Sequence, residues 1–490
     1  MEAEVQPEPG VPETVIVSDM HLADAEPVAK GRPYWRAYKQ ARFFIDDDFA
    51  RLLAHADAEA EGPIELILNG DIFDFDSITR LPEHFEGPAS WIVRLRGLPS
   101  EEWMSLFKID LIIEEHPVWF EAMRGFIEKG HRAVFVIGNH DAELHWPSVQ
   151  ERLRDALHDD GDEHRVTFAT AFYISGGDTY VSHGHLYDPL CSEKSPIDPL
   201  ILVHGRPRIR LPFGDMAMRY MLNGMGYFNP HATANYVMSA RDYARFFFRF
   251  MARTQPFLIW TWFWSALTTL ILSLRDFWQP EMRDPMLVEE KTESVARRSN
   301  TTAAVVRRVM ALTVPSACTD PVQVARVLWL DRGLFFLGIL YLAWQVLLTV
   351  NFVWPISPWW GFLFLLLLFP PFLLYSFRVS PPDTEDTLLT EQRALMLHNI
   401  TGTKNVVFGH THGPLARTVG PMTYVNGGFW SPAFKEPSCE TRLGTQTFVR
   451  LRPRPGGRRP ELLEWPPGGE APRPYPAPVT TPASELATTT

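Results

Sequence analysis

The chain of 490 residues contains only three cysteines, Cys191, Cys318 and Cys439, and they are widely separated. An odd and scattered set excludes a disulfide framework or a zinc ribbon, and it indicates reduced thiols in a cytosolic compartment. The chain also lacks a long basic run, and its formal net charge is −12. This charge is the opposite of what a nucleic-acid surface requires, so we expect no nucleic-acid partner.

Both ends of the chain have little that could form a core. The N-terminus has no basic segment followed by an apolar stretch, so the sequence predicts no signal peptide, and we expect 1–13 to be disordered. Residues 452–490 are rich in Pro, Gly, Arg and Thr, and we predict a disordered tail there. The length leaves room for two or three domains, or for one catalytic domain with a large insertion.

Five short polar motifs, each directly after a short apolar run, are the most informative feature that is present. They are Asp19-Met20-His21, Gly70-Asp71, Gly138-Asn139-His140-Asp141, His183-Gly184-His185 and Gly409-His410-Thr411-His412. Carboxylate, amide and imidazole ligands together suit a divalent metal of borderline hardness, with Mn, Fe and Zn all acceptable. There are too many ligands for one tetrahedral ion and about the right number for two. Two ions about 3.5–4 Å apart form the usual clamp for phosphoester hydrolysis.

The apolar runs before these motifs have the length and composition of buried strands. They are Thr14–Ser18, Ile64–Leu68, Ala133–Ile137, Thr179–Ser182 and Asn405–Phe408. Amphipathic stretches at Ala41–Ala60, His116–Glu128 and Asp386–His398 predict helices between them. This alternation predicts an α/β fold. Further β-rich runs at Val166–Ile174, Met422–Val425 and Gln446–Leu451 are expected to complete a second sheet.

In this order, the five motifs resemble those of the calcineurin-like metallophosphoesterase family. The resemblance covers roughly 14–185 and 385–450. It implies a sandwich of two β-sheets flanked by helices, with a dinuclear metal site at the strand ends that hydrolyses phosphoester or pyrophosphate bonds. The H-G-x block and the closing G-H-T-H block are similar to the branch that includes the UDP-2,3-diacylglucosamine pyrophosphatases. The G-N-H-D block and the long insertion depart from the pattern of that branch.

The resemblance also implies a role for each motif residue. One ion would be held by Asp19, His21 and His412, the other by Asn139, His183 and His410, and Asp71 would bridge them. His140 would be catalytic, standing beside the phosphate and protonating the leaving oxygen. Asp141 would orient the His140 imidazole. His185 could be a ligand or a supporting residue, and Asp74 could support the site or only form a turn.

Two long uncharged segments occupy the insertion and predict a membrane element. Gly333–Trp354 has no charged residue over 22 positions, and Trp359–Phe377 has none over 19. At 1.5 Å per residue, each can cross a hydrocarbon core of about 30 Å as a helix. Arg332 and Arg378 flank the outer ends, and the Trp-rich turn between the segments has no Lys or Arg. The positive-inside rule then predicts a transmembrane hairpin over 333–377 with both ends in the cytoplasm. The alternative is a helical hairpin buried in a soluble core.

A third apolar segment, Pro256–Leu274, is long enough to span as well. His183 precedes all three segments and His410 follows them, yet both are expected to bind the same metal centre. The chain must therefore cross the membrane an even number of times between these two residues. We expect the hairpin to span and 256–274 to be interfacial, re-entrant or packed against the hairpin.

The predicted organisation is a catalytic domain in two parts, 14–190 and 385–451, separated by an insertion over 191–332 and the hairpin. Within the insertion, Arg206, Arg208 and Arg210 alternate and would share one face of an extended segment. They could bind a second phosphate or a lipid head group, or they could be a solvated basic edge.

These observations predict a membrane-anchored hydrolase whose phosphorylated substrate meets the site at the cytoplasmic face. Because the anchor places the site at the bilayer, a lipid-linked phosphate is the economical substrate. One alternative is a membrane-tethered nucleotide or cyclic-nucleotide phosphodiesterase. The other is a metal-binding scaffold without catalytic activity.

Overall fold

Two β-sheets packed face to face form the centre of the protein. The computed structural model describes residues 11–476 apart from 29–30, 85–90, 160–163, 228, 232–244, 255–256, 283, 285, 358, 379–387, 455–456, 467 and 469–470. The strands are β1 (Glu13–Val17), β2 (Ile64–Asn69), β3 (Arg132–Val136), β4 (Val166–Ala169), β5 (Tyr173–Ser175), β6 (Thr179–Val181), β7 (Leu200–Val203), β8 (Arg206–Ile209), β9 (Asn405–Phe408), β10 (Leu415–Val419), β11 (Met422–Asn426), β12 (Gln446–Arg452), β13 (Arg459–Trp465) and β14 (Arg473–Pro474).

The two sheets are mixed, with parallel strands at their centres. The first sheet has seven strands in the order β14-β13-β12-β1-β2-β3-β4, in which β1 to β4 run parallel. The second has five strands in the order β10-β11-β9-β6-β5, in which β6, β9 and β11 run parallel. The short hairpin β7-β8 stands apart from both sheets.

Helices cover the outer face of each sheet, and further helices lie in the segments between the motifs. They are α1 (Asp46–Glu59), α2 (Trp91–Arg96), α3 (Glu102–Glu115), α4 (Pro117–Glu128), α5 (Pro147–Ala156), α6 (Phe213–Ala217), α7 (Asn223–Met225), α8 (Leu258–Trp278), α9 (Val288–Arg298), α10 (Ala303–Met310), α11 (Pro321–Val327), α12 (Leu330–Val353), α13 (Trp360–Arg378) and α14 (Glu391–Thr401). Helices α1, α3, α4 and α5 pack on the first sheet, and α9, α10 and α14 pack on the second. The fold is the α/β sandwich of two helix-flanked sheets that the sequence predicts.

Burial on both faces explains why the central strands are continuously apolar. Every residue of β2 is buried, because one face meets the helices and the other meets the second sheet. Between the sheets, Ile67 and Val134 of the first pack with Val181 and Val407 of the second. Helix α4 begins with Pro117, which suits a first helical position, and buries residues at helical spacing against the first sheet.

Two sequence predictions about strands need correction. The run Val166–Ile174 does not form one strand of a second sheet, because the chain leaves the first sheet after β4 and enters the second at β5. Similarly, β12 pairs with β1 and therefore belongs to the first sheet. The tail is also not disordered throughout, since β13 and β14 extend the first sheet, and Trp465 is buried. The predicted disorder at 1–10 and 477–490 lies outside the described residues.

The predicted hairpin is formed by α12 and α13, which pack against each other in antiparallel orientation. Phe336 contacts Phe372 with ring centroids 5.5 Å apart, and the Tyr375 hydroxyl donates to Asp331 Oδ2 at 2.7 Å. Within the described residues, one helix, Leu330–Val353, is long and apolar enough to cross a membrane. Helix α13 has 19 residues, includes Pro370 and Pro371, and does not meet the same criterion.

Candidate active site

The five polar motifs meet at one edge of the sandwich. They follow the carboxyl ends of β1, β2, β3, β6 and β9, which are neighbouring parallel strands in the two sheets. The side chains that line this edge are buried or nearly so, with Asp19, Asp71 and His183 among the most enclosed. Asp71, Asn139, His140 and three further motif histidines, His21, His410 and His412, border a cleft of about 260 Å³.

Asp19, His21 and His412 form a first cluster whose ligand atoms all lie within 4.8 Å of one another. Nε2 of His412 is 3.2 Å from Oδ1 of Asp19 and 3.4 Å from Nε2 of His21. Nε2 of His21 is in turn 4.0 Å from Oδ2 of Asp71. Two nitrogens and two carboxylates that converge in this way could hold one divalent cation.

Asp71, His183 and His410 form a second cluster by the same criterion. Nε2 of His183 lies 3.0 Å from Oδ2 of Asp71, the oxygen that also faces His21. Asn139 lines the same cleft, and its Oδ1 is buried without a hydrogen-bond partner in the described structure. An unpaired amide oxygen beside a carboxylate and two imidazoles fits a second cation, because burial without a partner is costly.

Hydrogen bonds around the clusters fix the direction of each ligand. Nδ1 of His183 donates to the Asn69 carbonyl at 3.0 Å, and Nδ1 of His412 donates to the His231 carbonyl at 3.3 Å. A carbonyl can only accept, so the neutral form of each ring carries its proton on Nδ1 and has Nε2 free to bind a cation. Nδ2 of Asn139 donates to Oδ1 of Asp215 at 3.0 Å, which turns the amide oxygen toward the cleft.

The backbone at this edge is held in an unusual conformation. Positive φ angles between 50° and 70° occur at Asp19, His21, Asp71, His410 and His412. This left-handed region is costly for residues with a side chain, and such residues concentrate at functional sites.

The motif glycines allow the strand ends to approach closely. A Cβ at Gly138 would lie 2.4 Å from Oδ1 of Asp71, and one at Gly409 would lie 2.6 Å from Oδ2 of Asp19. Any side chain at either position would therefore displace a carboxylate of the neighbouring motif.

The structure places Asp74, and not Asp141, beside the His140 ring. Nδ1 of His140 is 3.4 Å from Oδ1 of Asp74 and 3.8 Å from Oδ1 of Asp215. The Asp141 carboxylate instead accepts hydrogen bonds from the backbone N–H groups of Gly138 and Ile72. The orienting role predicted for Asp141 is therefore wrong, and this carboxylate holds the loop itself.

The carboxylates around His140 determine its charge. Burial lowers the pKa of His140, but the negative charges of Asp71 and Asp74 more than offset this effect, so the pKa lies well above its ordinary value. Burial raises the pKa of Asp215 to about 6, despite the opposing effect of His140. These carboxylates therefore favour the protonated form of the ring at the edge of the cleft.

Three residues of the site were not predicted from the sequence. Asp215 and His231 come from the insertion, and the His231 ring packs on His21 with centroids 4.0 Å apart. Asp188 places Oδ2 3.1 Å from Nε2 of His410. Of the three, only Asp188 could have been found from the sequence, because it lies five residues after His183 on the same loop. His185, left open by the sequence, packs beside His183 with centroids 5.4 Å apart.

The predicted substrate contacts of Arg206, Arg208 and Arg210 are not supported. Arg206 and Arg208 pair with Glu101 at 3.5 Å, and Arg210 pairs with Glu281 at 3.2 Å. None of the three is among the residues that line the cleft. Their charges are used to hold the β7-β8 hairpin in place.

Comparison with known proteins agrees with this geometry. Residues 13–237 match the family model of the calcineurin-like phosphoesterases. The match includes the first four motifs and continues into the insertion, and it ends before the G-H-T-H block. A search of curated proteins finds no match. The chain therefore carries a calcineurin-like phosphoesterase domain. The match covers a little under half of the chain, and it indicates an enzyme that hydrolyses phosphoester bonds.

Proposed function

We propose that the protein is a dinuclear-metal phosphoester hydrolase that acts at a membrane surface. One observation carries the proposal: two ligand clusters share Oδ2 of Asp71, and His140 stands at their border. We assign Asp19, His21, Asp71 and His412 to one ion, and Asp71, Asn139, His183 and His410 to the other. When bound, two such ions would supply an activated water and neutralise charge on the phosphoryl group.

Proton donation and the positioning of groups in the site are assigned to the protein's own residues. His140 lines the cleft, and its neighbouring carboxylates favour the protonated ring, so it is placed to donate a proton to the leaving oxygen. Asp74 holds the imidazolium in position at 3.4 Å. The backbone N–H of His140 donates to Oδ1 of Asp71 at 2.9 Å, which leaves Oδ2 of that carboxylate for the ions.

Exposed apolar surface supports membrane attachment through the hairpin. Helix α12 exposes Leu334, Tyr341 and Phe352 at 64%, 65% and 92%, although almost all of its residues are apolar. Helix α13 likewise exposes Phe362 and Leu366. Surface of this kind is costly in water and favourable in lipid. A soluble core would bury these side chains.

We further propose that both helices of the hairpin cross the bilayer and that the catalytic domain is cytoplasmic. The antiparallel pairing of α12 with α13 brings the chain back to the side from which it left. This agrees with the requirement that His183 and His410 belong to one site. A lipid-linked phosphoester, including a pyrophosphate as in the resembled branch, is the substrate class that such an anchor favours.

A metal-dependent hydrolysis screen on the purified full-length protein tests the proposal. Lipid phosphates, lipid pyrophosphates and nucleotides are compared side by side with Mn, Fe and Zn, and metal content is measured in parallel. Asp71→Ala should lose both ions and nearly all hydrolysis, because both clusters use this carboxylate. Two retained ions with normal turnover in this variant would refute the shared site. Activity on nucleotides alone would favour the tethered phosphodiesterase.

A further inference from the structure

A second cavity, of about 220 Å³, lies outside the catalytic cleft. Arg96 at the end of α2, Tyr220 and three residues of α8 (Trp260, Trp264 and Ser265) form much of its lining. The cavity thus combines one cation, a few hydroxyl groups and aromatic walls. This composition suits an amphipathic anion, with a charged group at Arg96 and an apolar part along the rings.

The Arg96 guanidinium has little compensation from the protein. Among the described residues it donates one hydrogen bond, from a terminal nitrogen to Oγ of Ser265 at 3.0 Å. No carboxylate of the described residues lies within ion-pair distance, whereas Arg208 and Arg210 are both paired with acids. Burial lowers the pKa of Arg96 without an opposing charge. The guanidinium also lies where a Cβ on Gly224 would clash with it, so it is packed in place.

Helix α8, which supplies the aromatic wall, has its polar side turned inward. Ser265, Thr269 and Ser273 are buried against the protein. The opposite side exposes Trp260, Trp264, Ile271 and Trp278, which at 3.6 residues per turn lie within one narrow stripe. A helix with an outward stripe of Trp and Ile matches elements that lie in the membrane interface.

The side of α8 that faces away from the exposed stripe packs against the hairpin. Helix α8 packs against α12, and the ring of Trp262 lies 3.2 Å from the position of a Cβ on Gly333. The helix that supplies the cavity's aromatic wall is therefore held against the first turn of the hairpin, and lipid phosphates would lie near this level if the hairpin spans.

We propose that this cavity binds the phosphate of an anionic membrane phospholipid, with Arg96 as the anion ligand and the acyl chains along the Trp stripe of α8. The proposal rests on the proposed membrane placement of the hairpin. A guanidinium forms paired hydrogen bonds with phosphate oxygens. The aromatic wall distinguishes a lipid from free phosphate, which would gain nothing from it.

The cavity is also a neighbour of the catalytic cleft. One helical turn, Met218–Leu222, separates them: Met218 and Leu222 line the cleft, and Tyr220 lines the cavity. A phospholipid bound at Arg96 would hold this wall of the cleft against the bilayer.

The test compares binding of short-chain lipids to the full-length protein in neutral detergent. Dihexanoyl phosphatidic acid, dihexanoyl phosphatidylcholine and inorganic phosphate are titrated, with tryptophan fluorescence and native mass spectrometry as readouts. A chelator is present because a dinuclear centre would itself bind phosphate. Arg96→Gln should weaken phosphatidic acid binding about tenfold to a hundredfold, the range expected for lost charged hydrogen bonds. Arg96→Lys should bind with intermediate affinity.

Arg275→Gln is the matched control, since Arg275 lies on α8, the helix of the aromatic wall, but is paired with Asp276 at 2.6 Å. It should bind phosphatidic acid like the native protein. Thermal unfolding of each variant establishes that it is folded. Equal affinity in Arg96→Gln and the native protein would overturn the proposal, and so would inorganic phosphate binding as tightly as the lipid. These titrations do not use hydrolysis, so failure of the proposed enzymatic function would be recognised separately, by absent metal-dependent turnover.

Discussion

Replacing Asp215 with alanine should weaken the binding of one of the two proposed metal ions and leave the binding of the other unchanged. Oδ1 of Asp215 accepts from Nδ2 of Asn139 at 3.0 Å in a buried environment, and this bond directs the amide oxygen into the second cluster. A buried hydrogen bond to a charged group contributes about 1.5–3 kcal/mol. Loss of comparable outer contacts lowers metal affinity about 10–100-fold. We expect that loss at the second ion only, because the first cluster does not include Asn139.

The assay is a Mn titration of the purified protein by calorimetry, with bound metal counted after desalting. Asp215→Ala should show one native-like and one weakened binding step, and Asp215→Asn should be milder because it retains an acceptor oxygen. Asp198→Ala is the control, since Asp198 lies in the same insertion, pairs with Lys291 at 2.6 Å and is not among the residues that line the cleft. Unchanged affinity of both steps in Asp215→Ala would refute the positioning role, as would equal weakening of both.

Three further outcomes are expected. His140→Ala should retain both ions while turnover falls by about 10²–10⁴, with a smaller defect for nitrophenyl substrates; loss of metal instead would make His140 a ligand. Carbonate-washed membranes should retain the full-length protein, and a chain lacking 333–377 should be more soluble; recovery of the intact chain without detergent would contradict the anchor. Burial lowers the pKa of His145 to about 4 in the folded state. As pH falls below 6.5, the imidazole is therefore protonated in the unfolded state before it is protonated in the folded state. Stability should decrease by at most about 3 kcal/mol between pH 6.5 and 4, and His145→Gln should remove that part of the slope in denaturant titrations.

Much of the fold was predictable because the spacing of apolar residues that indicates a strand or a helix is visible within a short segment of sequence. The five strands that precede the motifs were found within one or two residues, and their shared edge follows from parallel pairing. The sheet to which β4 and β12 belong was not predictable, because it depends on where the chain turns between strands. The strand Arg459–Trp465 was missed since the composition around it is dominated by Pro and Gly, although Leu462 and Trp465 are buried.

The residues of the site were likewise predictable only in part from the sequence. Residues within the motifs converge as the pattern predicts. Asp215 and His231 do not directly follow a strand, and neither belongs to a motif of recognisable spacing. The partner of His140 was assigned to the adjacent Asp141, but the loop turns that carboxylate toward the backbone N–H groups of Gly138 and Ile72. The three arginines of 206–210 show the same limit, because a sequence does not reveal that acids elsewhere already neutralise a charge.

The central strand of the second sheet has a consequence for biosynthesis. Strand β9 lies between β6 and β11, yet β6 ends at Val181 and β9 begins at Asn405. At about 5–20 residues per second, the ribosome needs on the order of ten to forty seconds to make the chain between them. During this interval β6 has an open edge, and the whole insertion leaves the ribosome before that edge can close. The enzyme therefore has no assembled catalytic edge until the insertion has been made, and nascent chains that stop short of 408 should be inactive and dependent on chaperones.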